Sequence, residues 1–146
     1  MFFNFFLSKN QKLVQQWKVE HQEIVAIATD IITNFDNKDS KYIRKKLTEL
    51  HAIAVMHLMD EDLEMYDLIE ENSDLDKTTE TLIKEFRESF RGTKTTVMNF
   101  LTHHTLPDVE LDQKFIENFK ELVGALAARI AFEEENLYSR LEDNTL

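Results

Sequence analysis

Along the first part of the chain apolar residues recur at alternating three- and four-residue steps. They are Val14, Trp17, Ile24, Ala28, Ile31 and Phe35, with His21 on the one polar step. Such steps stay on one face of a helix that turns about every 3.6 residues. A second stripe runs Ile43, Leu47, Leu50 and Ala54, then His57, Glu61, Glu64 and Leu68. A third runs Leu82, Phe86, Phe90, Thr93, Val97 and Leu101, with no ionisable residue. The last runs Ile116, Phe119, Val123, Leu126 and Ile130, then Glu133 and Leu137. Three segments rich in turn and cap residues separate the stripes: NFDNKDS (34–40), ENSDLD (71–76) and HTLPDVELD (104–112). The pattern predicts helices over 9–34, 40–71, 77–103 and 112–142. Short connections make sequential helices antiparallel neighbours, so the expected fold is an all-α, up-down-up-down four-helix bundle, one domain over 1–146. Gly92, inside the third segment, is the one candidate kink.

Composition sharpens this in two ways. With two glycines and one proline in 146 residues, a turn-rich β fold is disfavoured. The absence of cysteine removes disulfides, thiolate metal sites and thiol catalysis, and fits a reducing compartment, so a cytoplasmic location is expected. The formal charge of −11 repels phosphate backbones and makes a basic protein surface the more natural partner than nucleic acid. The opening MFFNFFL lacks the basic region and small-residue cleavage site of a signal peptide, and no run long enough to span a membrane follows. Phe2, Phe3, Phe5 and Phe6 are read as an apolar cap on one end of the bundle.

The ionisable interruptions carry the chemistry. Counted at about 1.5 Å per residue from the first break, His21 and His57 lie at the same height to within about a turn. Arg129 lies at a similar height beyond the third break. His57–Glu61 and Arg129–Glu133 are i,i+4 pairs, each on one helix face. His21, His57, Glu61, Arg129 and Glu133 are therefore expected to converge inside the bundle. A single core histidine is usually only a hydrogen-bonded residue; three helices contributing at one level make a buried polar site. Two readings of that site stay open. His21, His57, Glu61 and Glu133 are a donor set that suits one iron, manganese or zinc ion. A two-metal bundle centre uses about six side chains, more than are present. Alternatively Arg129, always protonated, neutralises Glu61 and Glu133 and stands where a metal ion would, with no cofactor expected. No phosphate-binding glycine loop and no GxSxG occur, and no enzymatic activity is expected. His103 and His104, beside Pro107, read as a solvated loop pair.

HLMDEDLEMY (57–66) and RIAFEEENLY (129–138) share a shape: a basic residue, three residues, a glutamate, then acid and an aromatic. His21 followed by His57–Glu61 resembles the hemerythrin-like (HHE) domain, and RIAFEEENLY resembles its last helix with Arg129 in the histidine's place. That resemblance implies a four-helix bundle that binds iron or senses iron, oxygen or nitric oxide, with an incomplete site. KLVQQW (12–17), EHQEIV (20–25) and ALAARIAFEEENLYSRL (125–141) also look like the first and last helices of the Rsd/AlgQ family of bacterial sigma factor regulators. That second resemblance implies a non-enzymatic regulator of transcription, docking its acidic surface on a basic partner such as an RNA polymerase sigma factor.

Overall fold

A computed structural model of the chain describes residues 8–71 and 76–143, with the backbone alone for 68–71 and 143. The N-terminal phenylalanines, the Leu68 side chain and most of the second break lie outside what is described. Helix α1 covers Lys9–Asn34, α2 Ser40–Glu71 and α3 Lys77–His104. The start of each helix has a local cause. Ser8 and Gln11 form a reciprocal capping box before α1. Asp76 accepts the Thr79 N–H at 2.7 Å before α3, and Asp39 accepts the Tyr42 N–H at 2.9 Å at the start of α2. Helix α3 runs unbroken through Gly92, so the candidate kink is not used.

The fourth helix departs from expectation. Instead of one helix over 112–142, α4 covers Gln113–Phe132, a π-helical turn covers Glu133–Leu137, and α5 covers Tyr138–Asp143. The register shifts within the acidic run, one turn before the C-terminal end.

The helices pack in sequence order, with α1 against α2 and the α4–α5 rod, and α3 closing the square against α2 and α4. The core divides into two apolar clusters. The larger, near the first and third connections, includes Ile31, Leu47, Leu50, Leu101 and Phe119, each with no exposed surface. The smaller, at the opposite end, holds Val14, Trp17, Met65, Ile83, Phe86, Leu137, Tyr138 and Leu141. Arg44 staples the third connection by donating to the carbonyls of His104, Leu106 and Val109. His104 is half-buried against Phe100 and Phe115 rather than solvated, with its Nδ1 2.8 Å from the Phe100 carbonyl.

Most of the expected stripe is buried. Four of its misses are by one position: Leu122 and Arg129 are buried beside half-buried Val123 and Ile130, Met65 beside half-buried Glu64 and Ile83 beside half-buried Leu82, whereas Phe35, Phe90 and Thr93 are half-buried with no buried neighbour in sequence. A strict 3–4 alternation slips by about 20° per heptad against a straight helix, which is enough to move the buried face by one residue. On the outer face of α2, Met56, Met59, Leu63 and Tyr66 repeat the stepping while exposed by 73, 51, 62 and 48%.

Candidate metal centre

The polar layer lies between the two apolar clusters. His21, His57, Glu61, Arg129 and Glu133 are all buried, none more than 3% exposed. Their convergence from α1, α2 and the end of α4 matches the expected level. One ligand atom from each of His21, His57, Glu61 and Glu133 lies within 4.8 Å of the others.

The histidines face each other, with their Nε2 atoms 3.0 Å apart. The Glu61 Oε2 atom is 3.1 Å from His57 Nε2, and Glu133 Oε1 is 3.6 Å from His21 Nε2. The outer ring nitrogens face acids as well. His57 Nδ1 lies 2.6 Å from Glu20 Oε1, and His21 Nδ1 lies 3.4 Å from Glu134 Oε2, where the angle is too poor for a hydrogen bond. A carboxylate at Nδ1 draws the ring proton there and leaves Nε2 with its lone pair pointing inward, as in carboxylate–histidine–metal arrangements.

Arg129 donates from Nη2 to Glu61 Oε1 at 3.4 Å, and its Nε lies 3.5 Å from Glu133 Oε1. Its guanidinium plane lies 5.0 Å from the Phe86 ring centre. Both ion pairs are long, and Arg129 Nε and Glu133 Oε1 have no hydrogen-bond partner among the described residues. Tyr138 completes the layer. Its hydroxyl donates to Glu61 Oε2 at 2.8 Å, and it also lies 3.3 Å from both Glu133 Oε2 and His21 Nε2. One hydroxyl has one proton to give. Given to Glu61 at the shortest distance, it leaves Glu133 with the guanidinium as its nearest cation.

The protonation pattern follows from these contacts. Burial, helped by the nearby His57 and Arg129 cations, pushes His21 down to about 4. Burial also works against the charge on His57, but the Glu61 and Glu20 carboxylates outweigh it and hold that imidazole above its usual range. Burial and the Glu61 carboxylate push the Tyr138 phenol well up, so it stays protonated.

Two members of the layer lie outside the sequence expectation. Tyr138 comes five residues after Glu133 and shares its face only through the π turn, in which the Tyr138 N–H bonds to the Glu133 carbonyl. Glu20 sits one residue off the α1 stripe, beside His21. In the acid run 60–64, Asp60 accepts the Trp17 indole N–H at 3.3 Å and Asp62 pairs with Lys94, so both are engaged.

Comparison with known families places this geometry. The family model of the hemerythrin HHE cation binding domain matches residues 12–141. The chain belongs to that family. No curated protein and no solved structure matches it at a significant level. The hemerythrin family implies a bound cation, and the residues present fit one. The layer holds two carboxylates against one guanidinium, an orphaned carboxylate oxygen, and two imidazole nitrogens aimed at each other. A cavity of about 10 Å³, lined by His21, His57, Arg129 and Glu133 among apolar walls, lies at the same place. That is roughly the space of one water or one ion.

Proposed function

We propose that this hemerythrin-family bundle binds a single divalent cation of the iron, manganese or zinc class through His21, His57, Glu61 and Glu133. Arg129 then replaces a second cation instead of holding one. The observation that carries this is the 3.0 Å approach of two inward-facing Nε2 atoms beside a carboxylate oxygen. Lone pairs at that distance repel unless something positive lies among them. A proton on His57 is one such charge, and a metal ion that displaces it is the other. Two imidazoles and two carboxylates form a borderline-hard donor set, which suits these ions better than copper(I) or calcium. Such an ion supplies Lewis acidity and, if it is iron, a redox couple. The chain's own residues orient the site. Glu20 sets the His57 tautomer, Tyr138 holds Glu61, and Arg129 balances the remaining carboxylate charge.

Binding rather than turnover is the activity proposed, because a space of about 10 Å³ at the cluster admits no organic substrate. The test is metal content after purification without chelator, followed by dialysis against ferrous, manganous or zinc ions. About one equivalent per chain is expected, reduced in His57→Ala. A protein that retains none of the three ions overturns the proposal. A protein that retains two equivalents restores a two-metal centre and overturns the role given to Arg129.

A second reading is favoured by the outer face of α2. Its exposed Met56, Met59, Leu63 and Tyr66 form a seam beside acidic Glu64 and Asp67. An apolar seam with acidic flanks suits a basic amphipathic helix, in keeping with the charge of −11. On this reading the polar layer is structural, and the protein acts by docking on a partner such as a sigma factor. Pull-down with a purified primary sigma factor tests it. Recovery that is lost in Leu63→Glu supports it, and no recovery removes it.

A further inference from the structure

A second polar cavity opens on the other side of Arg129, between α2 and α3. It measures about 70 Å³, and its wall is cationic in a chain whose net charge is −11. Arg87, Arg91 and Lys94 reach it from one face of α3, at i, i+4 and i+7. Arg129 lies at its inner end, and the rings of Phe86 and Phe90 form its apolar side. One carboxylate, Asp62, also lines it and is paired with Lys94.

The remaining cations are lightly engaged. Arg87 rests its guanidinium 5.5 Å from the Tyr66 ring centre and makes no ion pair among the described residues. Arg91 has only a long contact of 3.6 Å to Glu88, and both side chains are about three-quarters exposed, at 74 and 77%. Such a contact holds neither group firmly. Arg129 directs Nη2 and Nε at the two buried carboxylates and keeps other N–H groups of its fork. Two lightly engaged guanidiniums, a third with donors to spare and an apolar side wall suit a compact anion with several acceptor oxygens. By volume the cavity takes roughly five water-sized probes, about the size of one tetrahedral or planar oxyanion. The enclosed space takes the anion alone, so the rest of a nucleotide or a sugar phosphate does not fit inside it.

We infer that this cavity is a binding site for one small inorganic oxyanion of phosphate or sulfate size, held between Arg87 and Arg91 at the mouth and Arg129 at the inner end. The site shares Arg129 with the cation centre but needs no metal, because its α3 residues make no ion pair with the four metal-ligand candidates among the described residues.

The test is a two-dimensional NMR titration of the full-length protein with sodium phosphate, at constant ionic strength kept with sodium chloride. Saturable shifts confined to 86–94, to neighbouring α2 amides and to the Arg129 side chain are expected. Arg87→Gln combined with Arg91→Gln removes one half-buried and one exposed charge, neither of them paired with a buried group, and should fold normally, and it should weaken phosphate binding at least about tenfold. Asp62→Asn should tighten it. Glycerol 2-phosphate, whose ester group does not fit, should bind at least about tenfold more weakly than the free ion. Shifts scattered over the surface, unchanged affinity in the double variant, or equal binding of the ester would each overturn the assignment. Repeating the titration after chelation keeps the outcome separate from that of the cation centre: phosphate binding should survive the loss of metal.

Discussion

Arg129 is the residue on which the polar layer turns. It is the one cation in direct contact with both Glu61 and Glu133. Removing a buried ion-pair partner strands the opposite charge, so Arg129→Leu should destabilise the metal-free protein by about 3–5 kcal/mol in chemical denaturation. Arg129→His poses the complementary question. It exchanges a fixed cation for a ligand, so metal stoichiometry should rise from about one toward two ions per chain, read by elemental analysis. The histidines give a pH signature. His21 is held down to about 4, so as pH falls below about 6.5 the unfolded chain takes up a proton that the folded chain refuses. Stability is lost through that window. His57 is raised, so its contribution is complete below about 6.5 and is lost as pH climbs through its folded value. In chelator, melting temperature against pH should therefore show an acid limb from His21 and an alkaline limb from His57. His21→Gln should flatten the first and His57→Gln the second. A variant that leaves its limb unchanged refutes the assignment of that limb.

Among the elements, the turn over Glu133–Leu137 decides most. In a continuous α-helix, residues five apart point about 140° away from each other. The π turn closes that gap, so Glu133 and Tyr138 both reach His21, and Tyr138 also reaches Glu61. Inserting one alanine after Glu135, which is exposed, sets Tyr138 six residues from Glu133, about 120° away in α-helix, and should carry Tyr138, Leu141 and the small apolar cluster off their face. Loss of cation binding together with a lower melting temperature is expected, whereas Glu135→Ala should change neither. This element also marks the limit of what could be read from sequence. Four site residues on three stripes, and Arg129 through its i,i+4 step to Glu133, were legible because helical periodicity and connection length fix height and facing. Tyr138 was not legible, because its place depends on one hydrogen-bond shift that no spacing rule encodes. Glu20 was missed for a different reason: it reaches His57 across the α1–α2 interface from beside the stripe, and a one-dimensional face pattern does not register side chains that lean across a boundary. The one-residue errors at Val123, Ile130 and Glu64 have a third cause, the drift of a strict 3–4 count from true helical pitch.

At the scale of the whole molecule, the polar layer divides one core into two unequal halves. The larger cluster has apolar residues from all four long helices and the Arg44 staple across its end connection. The smaller is closed on one side by the layer itself, through Trp17, Phe86 and Tyr138. Without a cation the layer is a poor joint. Among the described residues His21 Nδ1, Arg129 Nε and Glu133 Oε1 have no hydrogen-bond partner, and two long ion pairs hold the centre. Local opening should therefore begin at the smaller half, since opening there exposes less apolar surface and frees groups that were already underbonded. A cation that ties α1, α2 and the end of α4 together binds the closed state and not the open one. At ligand about 100-fold above its dissociation constant, that adds about 2.7 kcal/mol to the opening free energy, close to a 100-fold slowing of exchange. Hydrogen exchange with and without zinc should show this slowing over 14–21, 57–65, 83–86 and 133–141, with much less change over 43–50 and 97–101. The contrast between the halves is what tests the division. Uniform protection would mean that the bundle opens only as a unit, and unchanged exchange at saturating zinc would mean that no cation joins the halves through this layer.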